Sequence, residues 1–186
     1  YRNPKYLSDA DIKGLSAIHI DAVNLSGVDI IVFALPSRAL ESVAMQLGGV
    51  TPALILTKGL DPSNGCRPSE LVGDRPVAVL SGPNHAEEII EGLPAAAVIS
   101  SSDTALAECL QEKVHSKRFR VYLNDDLIGV ELCAAAKNVI ALASGAVDGL
   151  ELGDNAKAAL MSRGLAEMAR LAAASGARPE TFAGLA

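Results

Sequence analysis

An α/β domain followed by the opening helices of an all-helical domain is the fold class that this sequence predicts. Three observations carry it. Short apolar runs alternate with amphipathic helical patterns up to about residue 125. Residues 127–186 then show almost no strand signal and are rich in Ala. At the change stand Asp125 and Asp126, residue types suited to cap a helix. The boundary is therefore set between 1–125 and 126–186.

The elements follow in order. Residues 28–35 read VDIIVFAL, β-branched and apolar on both faces, the pattern of a buried parallel strand. Pro36 and Ser37 open a helix with Leu40, Val43, Ala44 and Leu47 on one face, and Gly48-Gly49 ends it. A second strand is predicted over 53–57, running into Lys58-Gly59, with a polar loop over 61–69. Residues 77–80 form a third strand, and Ser81-Gly82-Pro83 turns it into a helix over about 85–91. Asn84 is the expected N-cap there, with Glu87 completing a capping box. Residues 95–100 and 119–122 read as strands. Between them, 104–114 reads as a helix with Leu106, Cys109 and Leu110 inward. Beyond Asp126, helices are expected over 127–148 and 155–175, joined by a turn over 149–154, with a third starting after Pro179.

Composition narrows the function classes. The 186 residues are 49% hydrophobic and 20% charged, a globular balance. A net charge of −6 without a basic run argues against nucleic acid or an anionic membrane as partner. Aromatics are 3% with no Trp, so stacking platforms for bases are hard to build. Cys66, Cys109 and Cys133 form no CxxC, and their odd number disfavours a disulfide framework and fits a reducing cytoplasm. His19, His85 and His115 lack ligand spacing, so no metal site is expected. The opening residues 1–5 are polar and do not read as a signal peptide. The apolar stretch 128–147 contains Glu131, Lys137 and Asn138, which makes it a poor membrane span. A start without Met and an end at Gly184, Leu185 and Ala186 read as a piece of something longer.

Lys137 is the most informative residue. On a helix its neighbours three and four positions away are Cys133, Ala134, Ile140 and Ala141, all apolar. Such a lysine loses hydration, which lowers its pKa toward the range useful for proton transfer. A lysine whose stem packs while its amine reaches water is the other reading, and spacing leaves both open. Asn138 is expected to face the same apolar wall. Lys58-Gly59 and Ser81-Gly82-Pro83-Asn84 each follow a strand, and ligands in open α/β sheets bind beyond strand carboxyl ends. Asp148, Glu151 and Asp154 lack EF-hand spacing and read as a solvated turn. An ion pair is expected between Arg163 and Glu167. No G-x-G-x-x-G occurs.

Seven segments in chain order resemble one family: VDIIVFALPSRAL (28–40), LTKGL (56–60), VAVLSGPNHAEEI (77–89), GLPAAAVISS (92–101), RVYLNDDLIGVEL (120–132), AAAKNVIALASGAVDGLELGDNAKAALMSRGLAEM (134–168) and GARPETFAGLA (176–186). The family is the bacterial-type NAD(P)-dependent glycerol-3-phosphate dehydrogenase. The resemblance implies a Rossmann-like NAD(P)-binding domain over 1–125 and a helical substrate domain over 126–186, both partial. It implies a cytoplasmic homodimeric oxidoreductase of phospholipid synthesis. Its reaction passes a hydride between NAD(P)H and dihydroxyacetone phosphate to form sn-glycerol 3-phosphate, with NAD or NADP as cofactor. By resemblance Lys137 is the catalytic acid/base. Lys58 contacts both substrate and nicotinamide, Gly82 and Asn84 contact substrate, Ala86 contacts cofactor, and Asn138 is a polar partner beside Lys137. Ser is common in the family where this chain has Asn84. The family's Gly-rich turn precedes the position of Tyr1, and its phosphate-gripping Arg-Asn pair follows position 186. These 186 residues are therefore expected to be inactive alone. A two-domain dehydrogenase of the 3-hydroxyacid or 6-phosphogluconate type, or a non-catalytic protein, is the alternative. The segments 81–86 and 149–157 favour the first reading.

Overall fold

The computed structural model describes residues 14–184. The polar opening over 1–5 lies outside the described residues. Five strands form one sheet in the order β1 (Ile31–Phe33), β2 (Ala53–Ile55), β3 (Val77–Ser81), β4 (Ala95–Ser101) and β5 (Phe119–Asn124). Neighbours are parallel except β3 and β4, which run antiparallel. The reason lies in the connection. Helix α2 (Ala86–Ile90) has five residues and rises only about 8 Å, too short to carry the chain back along the sheet. Helices α1 (Ser37–Leu47) and α3 (Thr104–Val114) match the predicted spans, and Gly48 caps α1 as expected. Helices α4 (Leu127–Gly149) and α5 (Gly153–Ala174) follow, and a short 3-10 turn spans Pro179–Ala183.

Period-two alternation divides the core into two layers. On one face of the sheet, Phe33, Ile55, Val79 and Val98 pack with Leu40 and Ala44 of α1, Val130 and Cys133 of α4, Met168 and Ala172 of α5, and Phe182. On the other, Leu54, Ala78, Ile99 and Val121 pack against Ala107 and Leu110 of α3.

Some local expectations are corrected. The predicted 28–35 strand shortens to three residues and is not buried on both faces. Val32 is 52% exposed, because β1 pairs only with β2 among the described residues and no described helix covers that side. Cys109 is exposed, because α3 turns Ala107 and Leu110 inward and Cys109 lies on its flank. Helix α5 begins at Gly153, ahead of the predicted 155. Asp148 of the predicted solvated turn pairs with Lys157 at 2.6 Å. The expected Arg163–Glu167 pair does form, at 3.8 Å, and Glu167 pairs more closely with Arg170.

Two buried carboxylates orient α4. Asp126 caps it, accepting from Gly129 N at 2.9 Å. It also accepts from Arg178 N at 2.9 Å and Thr181 Oγ1 at 2.6 Å, which ties the 3-10 turn to the start of the helix. Burial acts to raise the Asp126 pKa, but the bonds from Thr181, Gly129 and Arg178 overcome it and hold the carboxyl below its ordinary value. Five residues on, Glu131 is 3% exposed. It accepts from Ser69 N at 2.7 Å, Ser69 Oγ at 2.6 Å and Arg67 Nη1 at 2.9 Å, fastening the post-β2 loop to α4. By length and composition α4 is apolar enough to cross a bilayer. In this fold its first half, Gly129 to Ala134, is a buried core segment.

Gly129 is required by this arrangement. A Cβ there would overlap the Asp126 carboxylate and sit 3.0 Å from Thr181 Cγ2. Gly129→Ala is expected to displace the cap and cost at least the ~1–2 kcal/mol of a lost N-cap. Urea unfolding checks this, and an unchanged midpoint would refute it.

Candidate active site

The carboxyl ends of β2 and β3 and the middle of α4 bring two lysines together. Lys58 lies three residues beyond β2, which ends at Ile55 and not at the predicted 57. Although exposed overall, it tucks its amine against the end of β3, where Nζ donates to Gly82 O at 3.2 Å. Partial burial holds its pKa below 10.5. The preceding residue, Thr57, is buried. Its hydroxyl donates to Leu35 O at 2.9 Å and accepts from Leu35 N at 3.2 Å, so the chain leaving β1 is locked to the end of β2.

Lys137 is half-buried on α4. Desolvation is the main cause lowering its pKa from 10.5, and the positive charge of Lys58 adds to it. Burial also pushes up the Cys133 thiol one turn earlier, with Lys137 opposing. Lys137 lines a cavity of about 570 Å³ between α4 and α5, walled by Cys133, Ile140, Met161, Met168 and Phe182. Lys58, Gly82, Asn84 and Asn138 lie outside that cavity.

Gly82 is buried against β4. A Cβ there would stand 2.6 Å from Ala96 O and 3.0 Å from Ala97 Cα, both backbone atoms. Asn84 does not cap α2. His85 takes the N-cap position without a side-chain cap bond, and the capping box with Glu87 does not form. Asn84 Nδ2 instead donates to Ala96 O at 2.9 Å. The β3–β4 ladder ends at Ser81 opposite Val98, which leaves that carbonyl to be satisfied by a side chain. Ala86 opens α2 and is exposed.

Asn138 is also exposed, and the apolar wall expected beside it is not found. One residue further round the helix than Lys137, it lies toward Val139 and Leu142, themselves 64% and 77% exposed. The structure therefore brings together Lys58, Gly82, Asn84 and Lys137, and sets Asn138 on the open side of α4. The Glu131–Arg67–Ser69 lock was not anticipated. Its signal was present: a carboxylate inside the apolar run Val130, Leu132, Cys133 needs a buried partner.

A mixed α/β sheet continued into a helical layer is a Rossmann-like architecture, and here a lysine pair lies near its strand ends. Comparison with known proteins gives the family. The model described as NAD-dependent glycerol-3-phosphate dehydrogenase N-terminus matches residues 1–119, and the corresponding C-terminus model matches 126–186. The chain belongs to the NAD-dependent glycerol-3-phosphate dehydrogenase family. It is 45% identical to glycerol-3-phosphate dehydrogenase [NAD(P)+] 2 of Sphingopyxis alaskensis, covering all of this chain and 58% of that protein. The corresponding enzyme of Nocardia farcinica is 44% identical, with all of this chain and 60% of that protein covered. The crystal structure of glycerol-3-phosphate dehydrogenase from Coxiella burnetii superposes with a TM-score of 0.87 at 40% identity, over 98% of this chain and 57% of that one. The chain thus spans somewhat more than half the length of its relatives.

Proposed function

We propose that the protein containing these residues reduces dihydroxyacetone phosphate to sn-glycerol 3-phosphate with NAD(P)H. The observation that carries this reading is the lysine pair. Burial lowers the pKa of both amines and the charge of Lys58 lowers that of Lys137 further, so an anionic substrate bound beyond the strand ends relieves their repulsion. Family membership supports the reaction, and NAD or NADP follows from it. The fit to a cofactor rests on α1, whose N-terminus, without a side-chain cap hydrogen bond, begins just beyond β1.

A nicotinamide, when bound, would supply hydride-transfer chemistry. The chain's own residues do the rest. Lys137 gives its proton to the C2 oxygen as the alkoxide develops, and takes it back in the reverse direction. Lys58, anchored on Gly82 O, orients substrate near the nicotinamide. Gly82 and Asn84 line the substrate side and Ala86 the cofactor side. We also assign 1–125 to cofactor binding and 126–186 to substrate. The working state is taken as a cytoplasmic homodimer, as family membership suggests.

A pH profile tests the assignment with a definite sign. Reduction needs Lys137 protonated and oxidation needs it neutral. Reductive kcat/KM is expected to fall, and oxidative kcat/KM to rise, as pH climbs through a value below 10.5. A flat profile in both directions, or turnover of a 3-hydroxy acid in place of dihydroxyacetone phosphate, would overturn the reading.

A further inference from the structure

Two buried side-chain hydroxyls, Ser81 and Ser100, are without a hydrogen-bond partner. Ser81 is 1% exposed and Ser100 0%. Such groups are rare in native interiors, and each calls for an explanation. Both point to the same side of the sheet. Ser81 shares its face of β3 with Val77 and Val79, and Ser100 shares its face of β4 with Val98. Those valines pack in the layer that holds Cys133, Ala136 and Ile140 of α4. Both hydroxyls therefore face the helix that carries Lys137.

Their positions along the strands differ. Ser100 lies opposite Val79, inside the ladder, whereas Ser81 lies opposite Val98 in its last pair. Ser81 is therefore about 7 Å further toward the strand ends. It directly precedes Gly82, whose carbonyl receives the Lys58 amine. An unpartnered hydroxyl thus stands beside the Lys58 anchor and faces the Lys137 helix.

We infer that Ser81 is a third polar group of the lysine site, its hydroxyl hydrogen-bonding a substrate oxygen held between Lys58 and Lys137. This rests on the reaction proposed above. The hydroxyl lacks a partner in the protein because its partner is the substrate. Ser100, equally buried but set back from the strand ends, has no such role.

The test compares wild type, Ser81→Ala, Ser81→Thr and Ser100→Ala in the protein containing these residues, with dihydroxyacetone phosphate and NAD(P)H. Ser81→Ala is expected to lower kcat/KM for dihydroxyacetone phosphate by about 10- to 100-fold, the loss of one hydrogen bond in a charged site. KM for NAD(P)H should stay unchanged. Ser81→Thr, which keeps the hydroxyl, should recover most of the loss, and Ser100→Ala should match wild type. Without ligand, Ser81→Ala should unfold no earlier than wild type on heating, because it gives up no protein hydrogen bond. Wild-type kcat/KM in Ser81→Ala overturns the inference. So do equal losses in Ser81→Ala and Ser100→Ala, or an unliganded Ser81→Ala that melts below wild type, since these mark a structural hydroxyl. A wild-type protein without turnover of dihydroxyacetone phosphate overturns the proposed reaction itself, and this inference with it.

Discussion

Lys137→Ala is expected to lower kcat by about 10²- to 10⁴-fold, the usual contribution of a positioned general acid. The loss should fall on kcat and kcat/KM together, because the proton is needed only as charge develops on the substrate oxygen. The fold should survive. Burial disfavours the Lys137 ammonium, so the native state binds that proton less tightly than the unfolded chain. Its charge therefore subtracts from stability below the folded pKa, and the penalty fades as pH rises toward 10.5. Steady-state kinetics beside thermal unfolding separates the two effects. A folded Lys137→Ala protein with wild-type kcat would remove Lys137 from the reaction.

The second large effect is on stability. Glu131→Ala leaves the Arg67 guanidinium and the Ser69 N–H without their buried acceptor. Breaking a buried pair from one side costs about 3–5 kcal/mol. Glu131→Gln keeps an acceptor for Ser69 and should cost less. Pairing Glu131→Leu with Arg67→Met should recover much of the loss, because an apolar pair needs no compensating charge. Burial raises the Glu131 pKa above 4.5, with the bonds from Ser69 and Arg67 opposing. The native state therefore binds the extra proton above 4.5, and this group's contribution falls as pH rises through the folded value. Denaturant midpoints of the four proteins decide the matter. A Glu131→Ala midpoint equal to wild type would show that the lock does not hold α4 in place.

Much of the fold was legible in short windows of sequence. Helix α1 could be read from Leu40, Val43, Ala44 and Leu47 on one face, and the end of that helix from Gly48-Gly49. Asp126 was legible as a cap because capping needs only residues three apart. What failed to read was decided by distant partners. Asn84 has the chemistry of an N-cap, yet a carbonyl twelve residues away claims its amide. Val32 has the look of a core strand residue, but exposure depends on which helices cover the sheet. Cys109 and Asn138 were misplaced for a related reason: one helical step of about 100° moves a side chain from core to surface.

The candidate site divides along the same line. Sequence by itself determined the α/β-then-helical order, the apolar face around Lys137, and the placing of Lys58 and Gly82 just past strand ends. These are properties of local periodicity and turn chemistry, which a few neighbouring residues settle. Only the tertiary structure decided that β4 runs antiparallel, that the Lys58 amine rests on Gly82 O, and that its charge reaches Lys137 across nearly eighty positions. It alone showed Glu131 and Asp126 holding α4 over the strand ends, and Ser81 facing that helix without a partner. Charge repulsion, burial and hydrogen bonding act through space, so these features arise only when segments far apart in sequence pack together.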